Sequence, residues 1–330
     1  MPQRVLSGMQ PSGRLHLGNL LGALENWKRL QDEHECFFFV ADWHALSTNY
    51  EDTSQLQTFV HEILIDWLAA GIDPERATVF IQSHVPEHAI LNLLLSMITP
   101  VSWLERNPTY KEKQEQIEGR DLSTHGFLGY PVLQAADILL YKADAVPVGK
   151  DQLPHLELTR EIARRFNSLY TPVLVEPQEL LTEFPKVMGT DGRKMSKSYG
   201  NTINLSDSEP DVRQKLKTMV TDPARVRRKD PGNPDVCPVY EFHKIYSDQA
   251  VIDQVDRECR TAEIGCIDCK TFVADAMIHR LAPIWESRKV LEASPQRLKA
   301  IVQNGCQHAT TVSRQTLEEV KDAMKISGEF

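Results

Sequence analysis

The stretch that decides the fold of this chain is Val5-Leu6-Ser7-Gly8-Met9-Gln10-Pro11-Ser12-Gly13. Its first three residues predict a short buried strand, and the glycines and the proline after them predict a turn. A helix is expected next, over residues 18–31. A strand, a glycine-bearing turn and a helix in this order let main-chain N–H groups approach an anion closely. Residues 8–13, called the glycine loop below, are therefore a candidate phosphate site.

Further apolar segments predict strands at residues 36–41, 77–82 and 171–175. The first of these is a continuous apolar run, which suits a strand that is buried on both faces of a sheet. An amphipathic helix is expected over residues 53–70, between the first two of these strands. This alternation predicts an α/β fold with a Rossmann-like parallel sheet, covered by helices, that binds ligands outside the carboxyl ends of its strands.

Helical periodicity dominates much of the remaining chain. It is continuous over residues 87–104, and we interpret residues from about 99 to 165 as a helical insertion in the sheet domain. From residue 206 onward nearly all of the periodicity is helical. The sequence thus predicts a sheet domain over residues 1–198 and an all-α C-terminal domain over residues 199–330.

The composition is typical of a globular protein, with 41% apolar and 25% charged residues in a chain of 330. The net charge of −9 argues against a protein that grips nucleic acid over its whole surface, although a local basic patch can still do so. The longest apolar stretches fall short of the roughly 20 residues that a membrane-spanning helix needs. The N-terminus has no secretory signal pattern, so we expect a cytoplasmic protein without a membrane partner.

Two short motifs carry the chemistry. The first is His16-Leu17-Gly18-Asn19, in which His16 is either a donor to an α-phosphate oxygen or a helix cap. The second is Lys194-Met195-Ser196-Lys197-Ser198, called the lysine loop below. Its lysines are either solvated or stabilise the negative charge that builds up when a phosphoryl group is displaced. A mobile loop can bring cations in as that charge develops, so the pair predicts chemistry on the phosphates of ATP.

These two motifs resemble the two signatures of the class I aminoacyl-tRNA synthetases. The glycine loop and residues 135–141, 146–152 and 155–160 more specifically resemble the bacterial tryptophanyl-tRNA synthetases. The resemblance implies a ligase that activates L-tryptophan with ATP to tryptophanyl-adenylate and then transfers the aminoacyl group to tRNA(Trp). It also implies a homodimer, a catalytic sheet domain and Mg²⁺ that is held mainly by the ATP phosphates.

The resemblance also assigns an ATP site. Lys194, Lys197 and His16 would be catalytic, the two lysines by holding the leaving pyrophosphate, and Lys113 would add a third cation. Val187 would lie against the adenine. The implied ATP-binding set is Gln10, Pro11, Ser12, Gly18, Asn19, Gly149, Lys150, Asp151, Val187, Lys194, Met195, Ser196, Lys197 and Ser198.

Asp137 is the candidate for recognising the amino acid. Because its sequence neighbours are apolar, it is either a helix-surface carboxylate or a paired carboxylate inside a pocket, and the second is favoured. An indole ring offers one N–H donor, so a pocket that selects tryptophan needs such an acceptor. By resemblance, Tyr130 and Gln152 would bind the substrate ammonium group, and His44 would lie on the pocket wall.

Gln134 departs from the pattern of many tryptophan-specific enzymes, which have a methionine at this place. Relatives that are specific for tyrosine often have a glutamine there, so a tyrosyl-tRNA synthetase is an alternative. A non-catalytic relative that senses tRNA or a metabolite is the alternative from a different functional class. Amino-acid-dependent exchange of pyrophosphate into ATP separates these three hypotheses.

Four of the six cysteines fall in one part of the C-terminal region, and we call Cys237, Cys259, Cys266 and Cys269 the cysteine cluster. They are either small buried thiols or metal ligands, and the close spacing of Cys266 and Cys269 favours ligands. Disulfides are disfavoured inside the cell. Four thiolates suit Zn²⁺ or a [4Fe–4S] cluster. Resemblance to tryptophanyl-tRNA synthetases that have a four-cysteine iron–sulfur motif favours [4Fe–4S].

A basic segment lies between the lysine loop and the cysteine cluster and includes Arg225, Arg227 and Arg228. Such a segment is either a solvated face or a contact for nucleic-acid phosphates. Its position beside the cysteine cluster, in an otherwise acidic protein, favours a local contact with tRNA.

Overall fold

A five-stranded sheet organises the protein, whose computed structural model describes residues 3–108, 121–181 and 187–328. The paired strands are parallel, and the strand order is β3-β2-β1-β4-β5. The strands are β1 Arg4–Met9, β2 Glu35–Val40, β3 Ala77–Ile81, β4 Ala145–Val148 and β5 Gln178–Leu181. The predicted α/β fold with a Rossmann-like parallel sheet is confirmed.

Helices follow the strands and form most of the C-terminal region. Those among the strands are α1 Leu17–Asn19, α2 Glu25–Glu33, α3 Asp42–Asn49, α4 Leu56–Ala69, α5 Glu87–Ser96, α6 Val101–Glu105, α7 His125–Leu140 and α8 Leu153–Leu169, with a π-helical turn at Leu20–Leu24. Those after the sheet are α9 Glu209–Thr218, α10 Pro238–Tyr246, α11 Gln249–Arg260, α12 Cys266–Glu292 and α13 Pro295–Ala323. Within the described residues, no helix combines the length and apolarity needed to cross a bilayer.

The interior strand β2 is buried on both faces, as its continuous apolar sequence predicts. Phe37 and Phe38 point to opposite faces and are fully buried. Phe39 covers Gly8 of β1, where any side chain would collide with its ring. The glycine in β1 is therefore required by close packing at the point where the chain leaves the sheet.

Two expectations about secondary structure are wrong, each for a local reason. The helix over residues 87–104 is interrupted, because Pro100 stands at the N-cap of α6 and separates it from α5. Residues 171–175 do not form a strand. The side chain of Asn167 hydrogen-bonds the main-chain groups that a strand would use for pairing, since its Oδ1 accepts from the N–H groups of Val173 and Leu174 at 3.0 Å each. The strand β5 forms a few residues later.

The last helix, α13, lies against the edge strand β3. His308 Nδ1 is 2.8 Å from Thr78 Oγ1, and a side chain at Gly305 would collide with the Val79 carbonyl oxygen. The helix thus covers an exposed strand edge, which would otherwise be open to pairing with another chain. The hydrophobic core continues from the sheet into these helices. The division at residue 198 stays a prediction.

Candidate active site

A cleft of about 460 Å³ opens at the carboxyl ends of β1, β2 and β4. Gln10 enters it from the loop after β1, His44 from the helix after β2, and Gly149 from the turn after β4. Parallel sheets place ligand-binding residues at this edge, because the loops that follow neighbouring strands meet there. The cleft is therefore the candidate active site.

Many of the predicted site residues line this cleft. They are Gln10, His44, Tyr130, Gln134, Asp137, Gly149, Asp151, Gln152 and Lys194. Others lie outside its lining, namely Pro11, Ser12, His16, Gly18, Asn19, Lys150, Val187, Met195, Ser196, Lys197 and Ser198. Lys113 falls outside the described residues. The cleft thus collects all the residues that were predicted for the amino acid and only part of the ATP set.

The glycine loop and the lysine loop meet in space. Lys197 Nζ donates to the carbonyl oxygen of Gly13 at 3.0 Å and lies 3.4 Å from Ser12 Oγ. Just beyond the lysine loop, the carbonyl oxygen of Ile203 accepts the N–H of Leu17 at 3.0 Å. Lys194 reaches the cleft next door. Two segments that are remote in sequence thus lie together beside the cleft.

His16 caps helix α1. Its Nδ1 accepts the main-chain N–H of Gly18 at 3.1 Å, and Asn19 Oδ1 accepts the main-chain N–H of His16 at 3.0 Å. Burial, and then the charge of Lys197, lower the pKa of His16 to about 4, so its ring is neutral near pH 7. Because Nδ1 is an acceptor, the ring proton is on Nε2. The cap and the predicted phosphate donor are therefore compatible in one residue.

Lys197 is held in an environment that weakens its charge. Burial lowers the pKa of Lys197 to about 8, and the carboxylate of Asp66 offsets part of that effect. Lys194, by contrast, is exposed at the edge of the cleft. The two lysines of the loop thus occupy different settings, one packed on the glycine loop and one facing solvent.

Asn201 holds the lysine loop in shape, and sequence reasoning missed it. Its side chain is nearly fully buried. Oδ1 accepts the N–H of Ser196 at 2.8 Å, while Nδ2 donates to Asp191 Oδ1 at 2.7 Å and to the carbonyl oxygen of Lys194 at 3.2 Å. The available signal was its position directly after a glycine, since Gly200 has a φ of 64° and turns the chain back.

Asp137 lies at the inner end of the cleft and is only 1% exposed. Its Oδ2 is 2.8 Å from His44 Nε2, and its Oδ1 is 2.7 Å from His88 Nδ1. Gln82 Nε2 donates to both oxygens, at 2.8 and 3.0 Å. The buried, paired carboxylate that the apolar context predicted is confirmed, whereas its partners Gln82 and His88 were not foreseen.

These contacts keep Asp137 charged. Burial acts to raise its pKa, but the hydrogen bonds from His44 and His88 outweigh burial, and the pKa of Asp137 is lowered. A carboxylate accepts only, so each imidazole presents an N–H to it. The cleft therefore contains a preorganised negative acceptor surrounded by apolar walls.

The opposite wall of the cleft is also hydrogen-bonded. Tyr130 Oη is 3.1 Å from His155 Nε2, and His155 Nδ1 is 3.2 Å from Asn107 Nδ2. Burial raises the pKa of Tyr130, so its hydroxyl stays protonated. Gln152 donates to Asp151 Oδ2 at 2.9 Å. These groups can orient a polar ligand, and sequence reasoning missed His155.

The cysteine cluster comes together between α10, α11 and α12. Burial raises the pKa of the Cys269 thiol to about 12, and proximity to Cys237, Cys259 and Cys266 adds to the rise. His243 Nε2 lies 3.4 Å from Cys269 Sγ. Across the described ranges, however, no three His, Cys, Asp or Glu side chains are grouped in a way that could hold a metal ion.

Arg225 belongs to the cysteine cluster and not to the protein surface. It is 9% exposed, its Nη1 lies 3.6 Å from Cys259 Sγ, and its Nη2 donates to the carbonyl oxygens of Ile264 and Arg228. Its Nε is buried without a hydrogen-bond partner among the described residues. Arg227 and Arg228 are exposed. The predicted tRNA-contact arginines therefore divide into one buried and two accessible residues.

Comparison with known proteins agrees with this geometry. The family described as "tRNA synthetases class I (W and Y)" matches residues 1–282. The tryptophan–tRNA ligase of Thermotoga maritima is 54% identical over 325 residues, covering 98% of this chain and 99% of the relative. That of Ralstonia nicotianae is 46% identical over 396 aligned positions, covering 99% of each chain.

Solved structures give the same result. The tryptophanyl-tRNA synthetase of Campylobacter jejuni, complexed with ADP and tryptophan, superposes with a TM-score of 0.90 at 32% identity. The superposition covers 98% of this chain and 99% of that one. The similarity therefore extends through the sheet and the C-terminal helices alike.

Proposed function

Because this chain belongs to the class I tRNA synthetases for tryptophan and tyrosine, we propose that it is a tryptophan–tRNA ligase acting in the cytoplasm. The observation that carries the proposal is the buried Asp137 carboxylate, in a cleft that adjoins the meeting point of the glycine and lysine loops. An acceptor for an indole N–H and cations for a phosphate chain are thus placed side by side.

The first half-reaction joins the two substrates. A carboxylate oxygen of tryptophan attacks the α-phosphorus of ATP, the bond from that phosphorus to the bridging oxygen breaks, and pyrophosphate leaves with its electron pair. Mg²⁺ arrives bound to the ATP phosphates. Lys194 and Lys197 neutralise the charge that grows on the leaving group, and the neutral His16 donates from Nε2 to an α-phosphate oxygen.

The second half-reaction releases AMP. A hydroxyl of the terminal ribose of tRNA(Trp) attacks the carbonyl carbon of the adenylate, and the bond between this carbon and the phosphate oxygen breaks. No covalent intermediate with the enzyme is needed, so positioning supplies much of the rate. The walls made by Tyr130, Gln152 and His44 hold the amino acid during both steps.

Selection of tryptophan rests on Asp137. Its hydrogen bonds to His44, His88 and Gln82 fix the carboxylate before the substrate arrives, which lowers the cost of orienting it on binding. A site built around a hydrogen-bonding group disfavours analogues that lack the matching donor, because they enter the cleft without gaining that hydrogen bond. Phenylalanine, which has no ring N–H, is therefore disfavoured by the same carboxylate that binds tryptophan.

Exchange of labelled pyrophosphate into ATP tests the activity directly. With the full chain, tryptophan should support exchange and tyrosine should not. Asp137→Asn should lower kcat/KM for tryptophan about 100-fold while KM for ATP changes little, because the acceptor loses its charge and its hydrogen bond to the indole is weakened. Exchange with tyrosine, or with no amino acid at all, would contradict the proposal and favour one of the two alternatives.

We also propose that the cysteine cluster binds a [4Fe–4S] group, with Zn²⁺ as the alternative. The support is the mutual proximity of the four thiols and the buried guanidinium of Arg225, whose Nη1 lies 3.6 Å from Cys259 Sγ. Thiolates bound to metal carry net negative charge, which a guanidinium stabilises. Such a group would hold α11 and the start of α12 together.

Metal analysis decides between the alternatives. Protein purified without oxygen should contain about four irons per chain and absorb in the visible range if the group is a [4Fe–4S] cluster. Zinc at about one atom per chain, without visible absorbance, would identify the alternative. Cys266→Ser should lose the metal, and Cys36→Ser, which changes a buried cysteine of β2, should keep it.

We further propose that the enzyme is a homodimer. A stripe of exposed apolar side chains runs along α5 and into α6, with Ile90 at 39%, Leu93 at 55%, Met97 at 69% and Val101 at 56% exposure. Apolar patches of this kind on soluble proteins mark interaction sites. Light scattering should report a dimer for the wild type and a monomer for Met97→Glu. The matched control is Val226→Glu, which changes an even more exposed apolar residue elsewhere, at 83% exposure, and should leave the dimer intact.

Contact with tRNA is proposed for Arg227 and Arg228. Both are exposed beside the cysteine cluster, and Arg228 has only a distant carboxylate partner, Asp268 at 3.9 Å. Arginines with accessible guanidinium groups bind phosphates well. Arg225 is reassigned to the cysteine cluster because its own donors are directed inward.

A further inference from the structure

The residue just before His16 is held from two sides. The N–H of Leu15 faces the carboxylate of Asp66 in α4. The carbonyl oxygen of Leu15 accepts the N–H of Leu205 at 2.9 Å. Leu15 itself is fully buried. The backbone that leads from the glycine loop to His16 is therefore fixed by two other segments of the chain.

Both of those segments are in turn held by one helix, α12. The guanidinium of Arg288 forms a buried ion pair with Asp66 and also bonds Glu62 Oε2 at 2.8 Å. One turn earlier, Trp285 Nε1 donates to the carbonyl oxygen of Leu205 at 3.0 Å. Residues three apart on a helix lie on the same face. Thus α12 reaches the two main-chain groups of Leu15 through Asp66 on one side and Leu205 on the other.

The charges at this point bear on the lysine loop as well. Asp66 and Glu62 of α4 and Glu292 of α12 all surround Arg288, whose side chain is only 6% exposed. Asp66 is also close enough to Lys197 to favour its protonated form. Its Oδ2 has no hydrogen-bond partner in the part of the chain that the structure describes. Burial raises the pKa of Asp66 to about 7 even beside Arg288. Without Arg288, this side chain and the carboxylate of Glu62 would be left without a cation behind the loop that must bind ATP phosphates.

We propose that Arg288 and Trp285 are positioning residues for ATP, which hold Leu15 and hence the glycine loop and His16 in the geometry that binds the triphosphate. Neither residue lines the cleft, so they act through Asp66 and Leu205. The inference rests on the proposed function only in that the nucleotide is taken to be ATP. Helix α12 begins at Cys266, so it connects the cysteine cluster to the residues that hold the ATP-binding loops.

Two conservative variants test this arrangement of Arg288 and Trp285 around Leu15, which we call the Leu15 clamp. Trp285→Phe removes the N–H donor and keeps an aromatic ring, and Arg288→Met removes the charge while keeping a long apolar stem. Each should raise the dissociation constant for ATP, measured by calorimetry on the full chain without tryptophan, about tenfold. In exchange assays KM for ATP should rise by the same factor, and KM for tryptophan should stay within about twofold.

Rescue distinguishes positioning from simple loss of stability. Asp66→Asn keeps an oxygen to accept the N–H of Leu15 but carries no charge, so the double variant with Arg288→Met should recover most of the ATP affinity. Arg280→Met is the matched control. It removes a pairing of α12 with Glu25 that does not reach Leu15, and ATP affinity should be unchanged.

The outcomes are separable. An ATP-specific loss that Asp66→Asn reverses supports the clamp. Unchanged ATP affinity, an equal rise in KM for both substrates, or additive effects in the double variant would each overturn it. Failure of the wild type to exchange pyrophosphate in response to tryptophan would instead contradict the proposed function. The dissociation constants for ATP from calorimetry would still test the Leu15 clamp, because they do not depend on tryptophan.

Discussion

The imidazole of His88 and the carboxylate of Asp137 are joined by a buried hydrogen bond, Nδ1 to Oδ1, of 2.7 Å. The other ring nitrogen, Nε2, lies 2.8 Å from the hydroxyl of Tyr141. Because a carboxylate can only accept, His88 donates from Nδ1, and in the neutral ring Nε2 accepts from the tyrosine. His88 thus fixes the carboxylate that we propose as the selector of the amino acid, although it does not itself line the cleft.

Replacing His88 should therefore change the use of tryptophan and not of ATP. In His88→Phe the ring volume is kept but one donor to Asp137 is lost, so kcat/KM for tryptophan should fall about tenfold or more in pyrophosphate exchange. His88→Asn, whose side-chain amide can replace the Nδ1 donor, should keep most of the activity. Tyr141→Phe leaves the bond to Asp137 intact and serves as the control. Equal kinetics for His88→Phe and the wild type would contradict this role.

Removal of either lysine of the lysine loop should slow the chemistry. Lys194→Ala and Lys197→Ala each remove a cation that stabilises charge on the leaving pyrophosphate, so kcat for exchange should fall by about 10² to 10³ with folding intact. Circular dichroism checks the fold. Lys142→Ala, which removes a lysine paired with Glu319 on α13, should leave kcat unchanged. Near-normal exchange in both loop variants would refute their catalytic role.

The pKa of Lys197 predicts a basic limit for the use of ATP. Burial lowers this pKa to about 8, so the ammonium charge is present below that pH and is lost as the pH rises through it. The value of kcat/KM for ATP reports groups of the free enzyme and should fall above about pH 8. Lys197→Arg keeps its charge at high pH and should remove this limit, even if its absolute rate is lower. An identical basic limb in Lys197→Arg would assign the titration to another group.

Gln134 should not decide which amino acid is used. It lines the cleft, but the buried acceptor that matches an indole is Asp137. Gln134→Met introduces a side chain of similar length and flexibility, so exchange with tryptophan should stay within about threefold of the wild type. Tyrosine should remain inactive with both proteins. A tyrosine-dependent exchange by the wild type that Gln134→Met abolishes would show that the glutamine sets the specificity.

The sheet and the main motifs could be predicted because their signals are local. Continuous apolar residues mark β2, and Pro11 and Gly13 mark the turn after β1. The strand β4 was not predicted, since Pro147 lies within it and proline is rare inside a sheet. The π-helical turn after α1 has no sequence signature of its own.

The functional partners that were missed depend on contacts between distant parts of the chain. Gln82 and His88 follow β3, and only the folded sheet shows that they converge on Asp137 of α7. Arg225 was interpreted as a surface arginine because its neighbours are basic, and its burial results from packing beside Cys259. The local sequence can identify such residues but cannot show which way their side chains point.

The division among the three arginines predicts separate effects on tRNA binding and on stability. Arg227→Ala and Arg228→Ala together should weaken tRNA(Trp) binding and reduce the slope of log K against log salt by about 1.4 to 1.8, because two phosphate contacts are lost. Pyrophosphate exchange needs no tRNA and should persist. Arg225→Met should instead lower the melting temperature and the metal content, because a buried guanidinium beside Cys259 is removed while no exposed cation is changed. If the slope of log K against log salt fell in Arg225→Met and not in the double variant, the tRNA phosphates would contact Arg225, and the roles proposed for the three arginines would be wrong.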